Sequence, residues 1–160
     1  MKHKKLIRRI IFALLLLAAI FFFIRLYNQP DQENIMDVNL KEHKNIALHI
    51  HPLLSIEILG QTFTVPANIG ISAKGMRVIH THDATGKLHI ESPYHHQFYL
   101  DDFFAIWGKN LNSSCIFDYC GDKEHKLTFY VNGVQNEQKD GMPLKDGDEI
   151  KIVYEKINFS

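Results

Sequence analysis

Ten histidines in 160 residues are the compositional oddity of this chain, and their spacing concentrates them. Residues 79–93 read I-H-T-H-D-A-T-G-K-L-H-I-E-S-P. Residues 78–82 and 87–91 both alternate apolar with polar. Between them, Asp83, Ala84, Thr85 and Gly86 are turn chemistry, with Gly86 available for a positive φ. Closing His82 onto Lys87 sets Thr81 opposite Leu88, His80 opposite His89 and Ile79 opposite Ile90. Side chains alternate across a strand, so Ile79, Thr81, Leu88 and Ile90 take one face while His80, His82, His89 and Glu91 take the other. Opposed Cβ atoms stand about 5 Å apart, which crowds three imidazoles and a carboxylate into one patch.

A second His-x-His lies upstream. In residues 47–59 the apolar Leu48, Ile50, Leu54, Ile56 and Ile58 share one parity and His49, His51, Ser55 and Glu57 the other. This predicts one long strand with a buried face, bent at Pro52, which cannot donate to a ladder. His49 and His51 then point away from the apolar side. Imidazole suits Zn²⁺ and Cu²⁺, and two or three histidines with a carboxylate make a common ligand set. One His-x-His alone reads as a solvated sheet face. Two such pairs, with His89 opposite one of them, point to a metal site of His49, His51, His80, His82 and His89, with Glu91 at its edge and copper or zinc as the ion. On this reading His80 and His82 lie outside the core. Asp83 reads as a turn former that could support an imidazole from behind. His95 and His96 read as loop residues.

The other chemistry is thin. Cys115 and Cys120 are the two cysteines and suit one disulfide in an oxidising compartment. Cys120 with His125 has blue-copper spacing, but no methionine follows suitably. No Cys-x-x-Cys, G-x-S-x-G or His-Glu-x-x-His occurs, and the expectation is a binding domain, not an enzyme. Cupins also place His-x-His on strands, yet their glutamate spacing and second glycine-rich motif are missing. A formal net charge of +0 gives no footprint for nucleic acid. The rival to a metal domain is a protein-interaction module whose histidines answer to pH or a partner.

These residues need a scaffold and a location. Basic residues in the tail 1–9 precede the apolar run 10–24, and Arg25 and Tyr27 follow. The run is short for a span, but flanking arginines can snorkel and no small-x-small cleavage site follows. Residues 10–27 are therefore expected to be a single-pass signal anchor, with the N-terminus cytoplasmic and the rest outside by the positive-inside rule. Residues 28–45 read as a polar tether and 46–156 as one extracytoplasmic domain. Within it, residues 67–77 read as an irregular connection. Leu100, Phe103, Phe104 and Trp107 fall at helical spacing, with acidic residues in the first turn and Gly108 closing. The cysteines read as part of a loop. Residues 126–131 alternate into Asn132-Gly133, a tight-turn signal, and Ile150, Ile152 and Tyr154 share a face of a last strand. The fold class is α+β, with a helix on one face of a mixed sheet.

The segment T-F-Y-V-N-G followed by L-K-D-G-D-E-I-K-I-V-Y resembles the last third of β-grasp (ubiquitin-like) domains such as sulfur carriers. The resemblance implies a β-grasp-like sheet into which the His-rich hairpin is inserted. Ile157-Asn158-Phe159-Ser160 stands where the carriers have Gly-Gly, and the four cysteines of β-grasp ferredoxins are lacking, so neither chemistry transfers. A wider set, H-I-H-P at 49–52, V-P-A-N-I-G-I at 65–71, H-T-H-D at 80–83, H-I-E-S-P at 89–93 and L-D-D-F-F-A-I-W-G at 100–108, resembles a family of membrane-anchored, extracytoplasmic proteins of bacteria and archaea. That resemblance implies the compartment and carries no activity.

Overall fold

The computed structural model describes Phe12, residues 14–20 and residues 34–157. The chain divides into two units, Met1–Glu33 and Asn34–Ser160. In the first, residues 14–20 are helical and exposed. Among the described residues no helix is long and apolar enough to cross a membrane, and most of the expected anchor, with the whole basic tail, lies outside them.

The second unit is mixed α+β, mostly strands. Its last strand, β12 (Glu149–Lys156), lies in the middle of a five-stranded sheet. The order is β11 (Val134–Gln135), β10 (His125–Val131), β12, β2 (Leu53–Ile58) and β3 (Gln61–Phe63). β12 runs parallel to β2 and antiparallel to β10. Register turns parity into continuous apolar rungs: Val131, Ile150 and Leu54; Phe129, Ile152 and Ile56; Leu127, Tyr154 and Ile58. The Asn132-Gly133 turn forms as its residues demand, both at positive φ. The helix α1 (Leu100–Trp107) buries Leu100, Phe103 and Phe104 in the same core. Asp102 accepts from the Tyr99 N–H at its start, and Gly108 ends it in the left-handed conformation.

Four expectations change in detail. Residues 47–59 form two strands, not one: β1 (Leu48–Ile50) and β2 fall in different sheets. Pro52 separates them, and the Leu53 N–H bonds to Asp148 O. Residues 67–77 contain a small hairpin, β4 (Ile71–Ser72) with β5 (Gly75–Met76). The cysteines pair across the hairpin of β8 (Cys115–Ile116) and β9 (Tyr119–Cys120), joined by a disulfide. Its turn residue Phe117 packs against Phe63 and Trp107, with ring centroids 4.7 and 5.4 Å away. Lastly, part of the stretch read as tether is packed. Asn34 and Asn39 cap two short 3-10 turns, between and within which Val38 and Leu40 are buried, because two apolar side chains suffice to draw a polar segment onto a core.

Candidate metal centre

A separate three-stranded antiparallel sheet, ordered β1, β7 (His89–Ser92) and β6 (Ile79–His80), carries the histidines. Ile50, Ile90 and Ile79 form its apolar rung, and His80 pairs with His89 as the alternation predicts. The neighbouring pair is His49 with Glu91. His49, His80 and His89 leave these strands on the side opposite that rung, and His51 and His82 follow just past the ends of β1 and β6.

The hairpin does not continue to Thr81 and Leu88 as the simple register requires. Beyond His80 its two arms part. Thr81 turns to the preceding loop: it exchanges backbone bonds with Asn68 and Ile69, and its hydroxyl donates to Pro66 O at 2.8 Å. The other arm turns to β2, where the Leu54 N–H donates to Gly86 O and the Leu88 N–H to Pro52 O. Gly86 has φ +85 and its α-carbon lies against Leu54 O, leaving no room for a Cβ. A polar Thr81 on an apolar face needed a partner. That partner is the 66–69 loop.

This clamp corrects the placement of His80. Its side chain belongs to the interior, with 0 % exposure, and Gly70 packs closely against the Ile79 carbonyl and the His80 Cβ. Parity fixes the face on which a side chain leaves its strand, but not what covers that face. The buried ring is satisfied on one side by Arg77 O, 3.0 Å from Nδ1. A carbonyl can only accept, so Nδ1 carries the proton and Nε2 presents its lone pair. That Nε2 faces Nε2 of His82 at 3.3 Å. Two nitrogens bound about 2.05 Å from one tetrahedral ion stand about 3.3 Å apart.

The rings run in sequence from His49 to His51, His89, His82 and His80, with successive centroids 4.5, 4.6, 4.5 and 4.8 Å apart. Ligand atoms fall into two triads, His49 with His51 and His89, and His80 with His82 and His89. Within each triad they lie no more than 4.8 Å from one another, so each could hold a metal ion. The two triads meet at His89 and do not form one five-nitrogen shell. Glu91 belongs to neither triad and faces Nε2 of His49 at 3.2 Å. Asp83 accepts from the Thr85 amide and hydroxyl, which holds its carboxyl below the usual range. Among the described residues it makes no bond to an imidazole. His95 and His96 are exposed outside the cluster.

Burial pulls His80 down from the ordinary 6.5 to about 4, against the Arg77 carbonyl and Glu91, which act the other way. His89 is lowered too, by burial first and then by His82 and His51. Both effects preserve the neutral imidazole, which is the form that ligates. Two supports were not visible in the sequence. Arg77 acts through its backbone oxygen, which no residue type reveals. Asp146 accepts from the His51 N–H at 2.8 Å across 95 residues, and only the fold brings it there. No protein-family model, curated protein or solved structure matches this chain, so the reading of the centre rests on its own geometry.

Proposed function

We propose that this chain is a membrane-anchored, extracytoplasmic domain that binds a transition-metal ion, copper or zinc, through strand histidines without catalysing a reaction. One observation carries the reading: His80 is buried with its tautomer set by Arg77 O, and its unprotonated Nε2 faces His82 Nε2 at 3.3 Å, a separation that a hydrogen bond spans and that one ion would also bridge. A solvated sheet face has no reason to bury an imidazole and fix its proton on the far nitrogen. The Cys115–Cys120 disulfide supports an oxidising compartment, and the basic flank before the apolar run supports an anchor. The scaffold reads as β-grasp-like, supported by the order β3, β2, β12, β10, β11, the parallel central pair and a helix between the two hairpins.

Elemental analysis of the full chain, purified in detergent without chelators, tests the binding. About one copper or zinc per chain is expected, retained on dialysis at neutral pH and released as the imidazoles protonate. A chain that carries neither ion, and takes up neither when titrated, overturns the reading.

A further inference from the structure

The two triads share one residue. A neutral imidazole has a proton on one ring nitrogen and a lone pair on the other, so His89 can serve one ion at a time. To serve two it would have to give up its remaining ring proton and bridge them. The surrounding charge opposes that. Of the nearby carboxylates, Glu91 already faces His49, Asp83 is tied to Thr85 and Asp146 to the His51 amide. Two dications either side of one ring would repel strongly with a single carboxylate in contact.

Resting on the metal reading above, we propose that the five histidines form a single-ion site with two positions, the ion held by His80, His82 and His89 or by His49, His51 and His89, with His89 a ligand in both. The positions are unequal. The first contains a fully buried ring oriented by a backbone carbonyl. The second contains His49, whose side chain is 53 % exposed and competes for its contact with Glu91. The first is therefore the tighter seat and the second the more open one. The two seats adjoin at His89, so an ion released from the open one has the tight one beside it. Two such adjoining seats suit a protein that receives or delivers a metal.

The test titrates the full chain with Zn²⁺ by calorimetry and with Cu²⁺ by electron paramagnetic resonance, at about pH 7.5, above the ordinary imidazole pKa. The variants are H82A, H49A/H51A and H89A. His82 and His49 are exposed and His51 is half-buried, and near-UV circular dichroism checks that each variant keeps its packing. The wild type is expected to bind one ion. H82A should still bind one, about tenfold more weakly, the scale on which oriented support of a ligand acts. H49A/H51A should bind one at near wild-type affinity but yield it to a chelator several-fold more slowly. H89A should lose affinity at both seats. Two Zn²⁺ per wild-type chain, with Cu²⁺ signal lost to coupling at the second equivalent, would establish a bridge and overturn the proposal. So would an H82A chain that binds nothing, or faster release from H49A/H51A; either leaves the metal reading standing. A wild type that binds neither ion removes both.

Discussion

On the outward face of the five-stranded sheet, Lys151 meets Glu57 at 2.8 Å and Lys126 meets Glu155 at 3.2 Å. On the histidine face of the three-stranded sheet, five imidazoles meet one carboxylate, Glu91. Both sheets obey the same alternation, and both bury an apolar rung on the other side. The difference lies in what the polar positions do. Opposite charges placed across strands neutralise each other and leave a surface indifferent to its surroundings. Imidazoles that share a face with almost no counter-charge remain available to a cation, and one of them is buried besides. Charge pairing makes a surface, and unpaired ligands make a site.

The largest effect should come from the side the two sheets have in common. Phe129 is buried at the middle rung, between Ile152 and the core under α1. Phe129→Ala should lower unfolding free energy by about 3–5 kcal/mol, read from urea denaturation of the metal-free protein. The buried Ile79, Ile90 and Phe103 belong to the same cluster, so the histidine sheet should melt in the same transition. A separate transition for the histidine sheet would show that the two sheets do not share a core.

The comparison also explains what could be read in advance. The rungs of β10 and β12 were legible because alternation, a strong turn at Asn132-Gly133 and the sheet period all agree. The pairing of His80 with His89 is legible from the alternation of the two arms, although the arms part before the turn between them. Pro52, by contrast, reads as a bend and is a boundary between sheets, since a missing N–H shows where a ladder stops but not what each side pairs with next. The burial of His80 was hidden for a similar reason. The 66–70 loop, held by Thr81 and packed at Gly70 against the His80 Cβ, lies beside it, and cover of that kind is a tertiary fact. Val38 and Leu40 were missed because two buried residues in a polar stretch show no period.

A pH titration breaks the comparison from the other side. His80 titrates near 6.5 when unfolded and about 4 when folded. Between those values the unfolded chain binds more protons, so stability rises with pH across the window and is lost as pH falls through it. The groups facing the ring are His82, His89, Glu91 and the Arg77 carbonyl. In chelator, the wild type should lose roughly 3 kcal/mol more than His80→Gln between pH 6.5 and 4. Carboxylates titrating in the same range cancel in the difference between the two proteins. Equal slopes would mean that His80 is not held neutral.

The smallest effect should lie on the charged face. Lys151 and Glu57 are a pair 2.8 Å apart on adjacent strands, with side-chain exposures of 49 % and 33 %. The carboxylate, first through its hydrogen bond and then through its charge, raises the lysine above its usual range. The contact contributes little to stability all the same, because water and salt screen it and ordering two long side chains opposes it. Lys151→Met should therefore change unfolding free energy by about 0.5 kcal/mol or less at physiological salt. The change should shrink further at about 1 M salt, where the Debye length is near 3 Å. Metal uptake should be untouched, since Lys151 lies in the other sheet from every histidine of the two triads. A loss above about 1.5 kcal/mol, or one that salt fails to reduce, would mean that this face too depends on its polar groups, and the contrast between surface and site would fail.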